Sequence, residues 1–179
     1  MNRIWLAVAI AGFSLPAAAA TLEAPLDLAA KGRMQCFSPD PVKKTCKSMA
    51  GYRIGRNGNI EDIATVVVSG SPLVIMESIS PVEITDGKVC GRVREQDFAN
   101  ANFSTDGMPA DMKQTQTLAH AAVLAAKQLL GRFICTAYVT DGDSVKAKST
   151  VDGTPRPDME QAVIWVSLDD GYRIAAPAQ

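Results

Sequence analysis

The chain has 179 residues, and its 18 basic and 19 acidic side chains leave a formal net charge of −1. A charge so near balance gives no general attraction to nucleic acid or to an anionic membrane surface. A chain of this length suits one ordinary hydrophobic core and leaves little room for two.

Residues 1–20 carry the marks of a secretory signal: Asn2 and Arg3 as a short positive start, Ile4 to Leu15 as an apolar run, and Ala18-Ala19-Ala20 as a small-residue cleavage site. The apolar run is shorter than the roughly 20 residues of a membrane-spanning helix. The reading is therefore cleavage after Ala20, with no membrane span left behind, and a periplasmic or secreted location. Cleavage removes one base, Arg3, and no acid, so the mature charge is about −2. Residues 21–34 then form an N-terminal arm without caps or a clear period, and residues 35–179 form a single domain.

Cys36, Cys46, Cys90 and Cys135 are the four cysteines. In an exported chain they are expected to form two disulfides, for which three connectivities exist. Ser38-Pro39-Asp40-Pro41 bends the chain between the first two, which favours Cys36 with Cys46 and leaves Cys90 with Cys135. Strict alternation sets Cys90 beside Lys88, Arg92 and Arg94, so a bridge buried under a helix would need a bulge at Gly91 to turn it inward.

From Gly51 onward strand patterns dominate. Asn57-Gly58 and Asp86-Gly87 are hairpin dipeptides. Ile63 to Val68 reads as a covered strand, and Leu73 to Ile79 and Val82 to Thr85 as two more, interrupted by Ser80-Pro81. Residues 95–108 are mostly polar and read as a surface connection.

The longest periodic stretch runs from Pro109 to Gly131, with Met112, Leu118, Ala119, Ala122, Val123, Ala125, Ala126, Leu129 and Leu130 in one arc and Lys113, Gln116, Thr117, His120 and Lys127 opposite. It predicts a long amphipathic helix, opened by Pro109 and closed by Gly131, which passes into a strand at Phe133 to Thr140. Val145 to Val151 is a further alternating strand, Asp152 to Asp158 a proline-containing loop, and Ala162 to Leu168 a late apolar strand. The fold expected is α+β: a disulfide-stapled antiparallel meander of about seven to nine strands with one long helix packed on one face.

Standard catalytic signatures are missing. The chain has one histidine, and His120 lies on the polar face of the helix with no carboxylate to orient it. No Cys-x-x-Cys pair offers redox chemistry, and a zinc site would need the cysteines assigned to bridges. Asp141, Asp143, Asp152, Asp158, Asp169 and Asp170 sit at turns, where Asp caps the local backbone. No phosphate-cradling glycine loop occurs, so neither metal nor cofactor is expected. Arg92, Arg94, Lys146 and Lys148 would form a basic patch if their strands were neighbours.

Cys36-Phe-Ser-Pro-Asp40, Thr45-Cys46, Val89-Cys90-Gly91, Ile134-Cys135-Thr136-Ala-Tyr138, Arg156-Pro-Asp158 and Trp165-Val-Ser167 together resemble small exported proteins of uncharacterised function from Gram-negative bacteria. The resemblance implies export and brings no catalytic or binding residue with it. The functional expectation is a non-enzymatic envelope protein that binds another envelope protein or a small ligand. The rival is a hydrolase whose site is assembled from Asp and Ser residues on distant loops.

Overall fold

The computed structural model describes residues 26–141 and 144–175. Residues 1–25, where the signal sequence and the start of the arm are expected, residues 142–143, where a turn is expected, and residues 176–179 lie outside them. In chain order the strands are β1 (Met34–Phe37), β2 (Thr45–Cys46), β3 (Ser48–Ile54), β4 (Ile60–Gly70), β5 (Leu73–Thr85), β6 (Lys88–Arg92), β7 (Asn102–Thr105), β8 (Met108–Pro109), β9 (Phe133–Asp141), β10 (Ser144–Val151), β11 (Thr154–Val166) and β12 (Arg173–Ile174). Two helices, α1 (Glu95–Ala99) and α2 (Met112–Ala125), fall between β6 and β7 and between β8 and β9.

Strands pair antiparallel in the order β4-β3-β1-β11-β10-β9-β6-β5, and a further β4–β5 pairing closes the ring. The result is a closed eight-stranded barrel. This overturns the expected α+β meander with a long helix across one face. Strands take up 54% of the described residues, among which only one helix reaches seven residues. Closure lets each strand bury its inward side without any helical cover and removes the sheet edges.

The expected helix is also shorter than its apolar arc. It starts at Asp111, whose carboxylate accepts the Gln114 N–H at 2.8 Å while Gln114 Oε1 accepts the Asp111 N–H at 3.0 Å, a reciprocal cap that outcompetes Pro109 as the starting point. Pro109 instead pairs with Ser104 in β8. At the other end α2 stops at Ala125, and the Gly131 N–H donates to Val93 O at 2.8 Å. Gly131 thus belongs to the approach of β9 and not to a helix cap. His120 is exposed, and Met112, placed in the apolar arc, is 80% exposed.

Period-two alternation along β5 puts Val74 and Met76 on the same side as Ser78, Ser80 and Val82. Val74 and Met76 form a cluster with Ala101, Phe103 and Ala119, packed by Phe98, Leu118 and Ala122. The helices therefore cover the first half of β5, past the point where β6 leaves it, and cap one end of the barrel. Residues 95–108, expected to be a surface connection, supply much of this cap, including α1, β7 and the buried Phe103. Their apolar members are too scattered to show a period.

β5 runs unbroken through Pro81 because residues 78–82 pair only with β4. The missing N–H of Pro81 lies where the β5–β6 ladder has already ended at Glu83–Cys90, so no ladder bond is lost. The proline-containing stretch 154–158, expected as loop, is likewise the start of β11.

Cys36 bonds Cys46 and Cys90 bonds Cys135. The first bridge lies on the outer wall of β1 with Met49 and Val166, under Tyr172 and Ile174. The second joins residues directly opposite on β6 and β9. Cys90 is fully buried, yet no bulge turns it: the β6–β9 register is continuous from Val89 to Arg92. Gly91 is needed for close approach, since a Cβ there would meet Val82 Cγ1 at 3.1 Å and Pro81 O at 3.3 Å. β9 separates Arg92 on β6 from Lys146 and Lys148 on β10, and Arg94 is tied to Asp97, so the four bases do not form one patch. Among the described residues no helix is long and apolar enough to cross a membrane.

Candidate functional site: the barrel lumen

An eight-stranded barrel is just wide enough to be filled by side chains, or to hold one small ligand where they are small. Here many inward positions are small. β3 and β4 turn Ser48, Ala50 and Ala64 inward, β5 and β6 turn Ser78, Ser80 and Gly91, and β10 turns Ala147 and Ser149. Cross-strand pairing aligns them, as in Ala50 opposite Ala64 and Ala64 opposite Ser78. The lumen left open has a volume of about 370 Å³, within the range of roughly 300–1,000 Å³ common for ligand sites.

Its wall is mostly apolar, with Phe37, Val66, Val82, Val89, Ile134 and Met159 among the lining groups. At the helical end Phe98 of α1 faces it, beside Arg94 and Asp97. Arg94 Nε donates to Asp97 Oδ1 at 3.1 Å, and Ser80 Oγ donates to Asp97 Oδ2 at 3.0 Å. That carboxylate is 7% exposed and fully engaged, so the buried charge is compensated.

At the opposite end three side chains form a polar layer. The Tyr52 hydroxyl donates to Gln35 Oε1 at 2.8 Å, and the Tyr138 hydroxyl donates to the same oxygen at 3.0 Å. The two hydroxyls are 3.4 Å apart. Gln35 is fully buried and its Nε2 has no partner. Burial raises both tyrosine pKa values, and the negative charge of Asp62 raises them further.

Asp62 stands opposite Tyr52 on β3 and Ser80 on β5, and its side chain lines the lumen. Its Oδ1 is buried without a hydrogen bond, and among the described residues no group donates to this carboxyl. Burial pushes its pKa up to about 7, as desolvation disfavours the charged form. Among the described residues no cation pairs with this carboxyl and no group donates to it.

The turn aspartates do not converge. Asp152 accepts from Arg132 and from the Phe133 N–H, Asp158 pairs with Arg156, and Asp170 caps the Ser167 N–H. Each does the local work expected of Asp at a turn. No group of three or more His, Cys, Asp or Glu side chains suited to a metal exists among the described residues. The sequence alone does not single out the lumen residues, because Asp62 immediately precedes the apolar run 63–68. A usable sign is present, in that Asp62, Ala64, Ser78 and Ser80 place small or polar groups together on one face of two strands that pair with each other.

A second cavity, a groove of about 490 Å³, runs between α2 and the β4–β5 extension and is lined by Val68, Leu118, Ala122 and Ala125. It carries no charged group. No family model, curated protein or solved structure matches this chain.

Proposed function

We propose that the protein is an exported, non-enzymatic binding protein that holds one small, largely apolar molecule in the lumen of its barrel. In this reading residues 1–20 are removed on export, residues 35–179 act as one domain, and the location is periplasmic or secreted. Two disulfides agree with an oxidising compartment. The observation that carries the binding reading is the lumen itself: a closed barrel whose inward positions are small enough to leave about 370 Å³ empty. Packed interiors elsewhere leave few voids larger than a water molecule.

The hydrolase reading finds little support. Ser80 is bound to an aspartate neutralised by Arg94, and Ser149 shares its hydrogen bond with Thr136 at 3.0 Å. Among the described residues neither hydroxyl has a hydrogen bond to a free base: Ser80 is bonded to Asp97 and not to Asp62, the unpartnered carboxyl opposite it. The test is a thermal-shift screen of small apolar compounds against the native protein and an Ala64→Leu variant. Native protein should gain several degrees with its ligands, since binding to the folded state alone stabilises it, and Ala64→Leu should lose that gain while remaining folded. Equal shifts in both proteins would place binding elsewhere and defeat the proposal.

A further inference from the structure

We infer that the ligand carries a protonated amine, which sits on Asp62 at the tyrosine end of the lumen with its apolar body toward Phe98. This rests on the lumen-binding reading and adds the chemistry of the head group.

The first observation is the solitary carboxyl. Asp62 lines the cavity, its Oδ1 has no partner, and among the described residues nothing donates to it. The one carboxylate among the described residues that is more fully buried, Asp97, is matched by Arg94 and Ser80. An unmatched one costs stability, so its retention points to a partner that arrives from outside.

The second observation is the polarity of the neighbouring hydroxyls. Both Tyr52 and Tyr138 donate to Gln35 Oε1, which leaves their remaining lone pairs as acceptors. The head of the lumen therefore offers a carboxyl and two phenolic oxygens and no free hydroxyl donor from either tyrosine. An ammonium group has three donors and no acceptor and matches that set, whereas a carboxylate or phosphate would be repelled by Asp62 and would find one unpartnered donor in the layer, Gln35 Nε2. Two bases also line the cavity, but neither is free to compete for Asp62. Arg94 is held by Asp97, and Arg92 donates to Gly131 O while lying 5.8 Å over the Phe133 ring.

The experiment compares cyclohexylmethylamine, cyclohexylmethanol and cyclohexanecarboxylate, matched in size, by calorimetric titration of the disulfide-bonded protein at pH 8. A charge-assisted contact should make the amine bind about tenfold or more tighter than the alcohol, with the carboxylate weakest. Asp62→Asn should abolish the amine's advantage and leave the alcohol within about threefold of its native affinity. Equal binding of amine and alcohol, or an advantage that survives Asp62→Asn, would overturn the amine assignment while the lumen still binds. If none of the three binds, the lumen reading falls as well.

Discussion

Tyr52 and Asp62 face each other across the β3–β4 ladder, yet among the described residues only the tyrosine has a side-chain hydrogen bond. The hydroxyl is drawn away to Gln35, and the carboxyl beside it is left facing the lumen. That division organises the energetics of the barrel interior as well as its chemistry.

Stability should depend on pH through Asp62. Its folded pKa is raised to about 7 from 3.8, so between those values the folded protein keeps a proton that the unfolded chain has released. Stability then falls as pH rises through this window, is unaffected by Asp62 below it, and is level above it. The full span corresponds to on the order of 4 kcal/mol, and water in the lumen reduces it. Tyr52 and Tyr138, the titratable groups that bear on Asp62, ionise far above this range, and Arg94 with Asp97 is a matched pair. Denaturant unfolding of Asp62→Asn should show a gain over native protein of about 2 kcal/mol at pH 8 that vanishes near pH 3.5. A gain that is the same at both pH values would contradict this origin.

Gln35 should matter for stability more than its polarity suggests. Gln35→Met keeps the length but leaves two buried hydroxyls without their acceptor, and their mutual separation of 3.4 Å lets them satisfy only one donor between them. The expected cost is about 1–3 kcal/mol, read from the urea midpoint. A neutral substitution would mean that the hydroxyls find another acceptor.

The two bridges should differ in weight. Cys36–Cys46 spans 10 residues and Cys90–Cys135 spans 45, so on the loop-entropy model they stabilise by about 3 and about 4 kcal/mol. Paired Cys→Ala variants, compared by thermal unfolding, should therefore rank Cys90/Cys135 as the more damaging loss. The reverse ranking would point to packing around Cys36, under Tyr172 and Ile174, as the larger contribution.

Much of the local structure was legible from the residues. Asn57-Gly58 and Asp86-Gly87 do turn hairpins, because the left-handed conformation that such turns need is tolerated by few other pairs. Alternation in β9 and β10 was readable for the same local reason. Closure was not, since period two tells which face a residue takes and nothing about which strand lies beside it. The long helix misled the architecture: Leu118, Ala119 and Ala122 do bury, but against Val74, Met76 and Phe103 at one end of the barrel and not across a sheet. The lumen stayed hidden because Ala50, Ala64, Ser78 and Ser149 are weak strand formers that become informative only once the ring places them opposite one another.

The most direct test of the central claim is an amide NMR titration of the native protein with cyclohexylmethylamine. It separates the lumen from the groove beside α2. The account predicts saturable shifts at Tyr52, Asp62, Ala64, Ser80 and Tyr138, with Leu118, Ala122 and Ala125 unmoved. Shifts confined to the α2 groove, or none at the lumen residues, would contradict it.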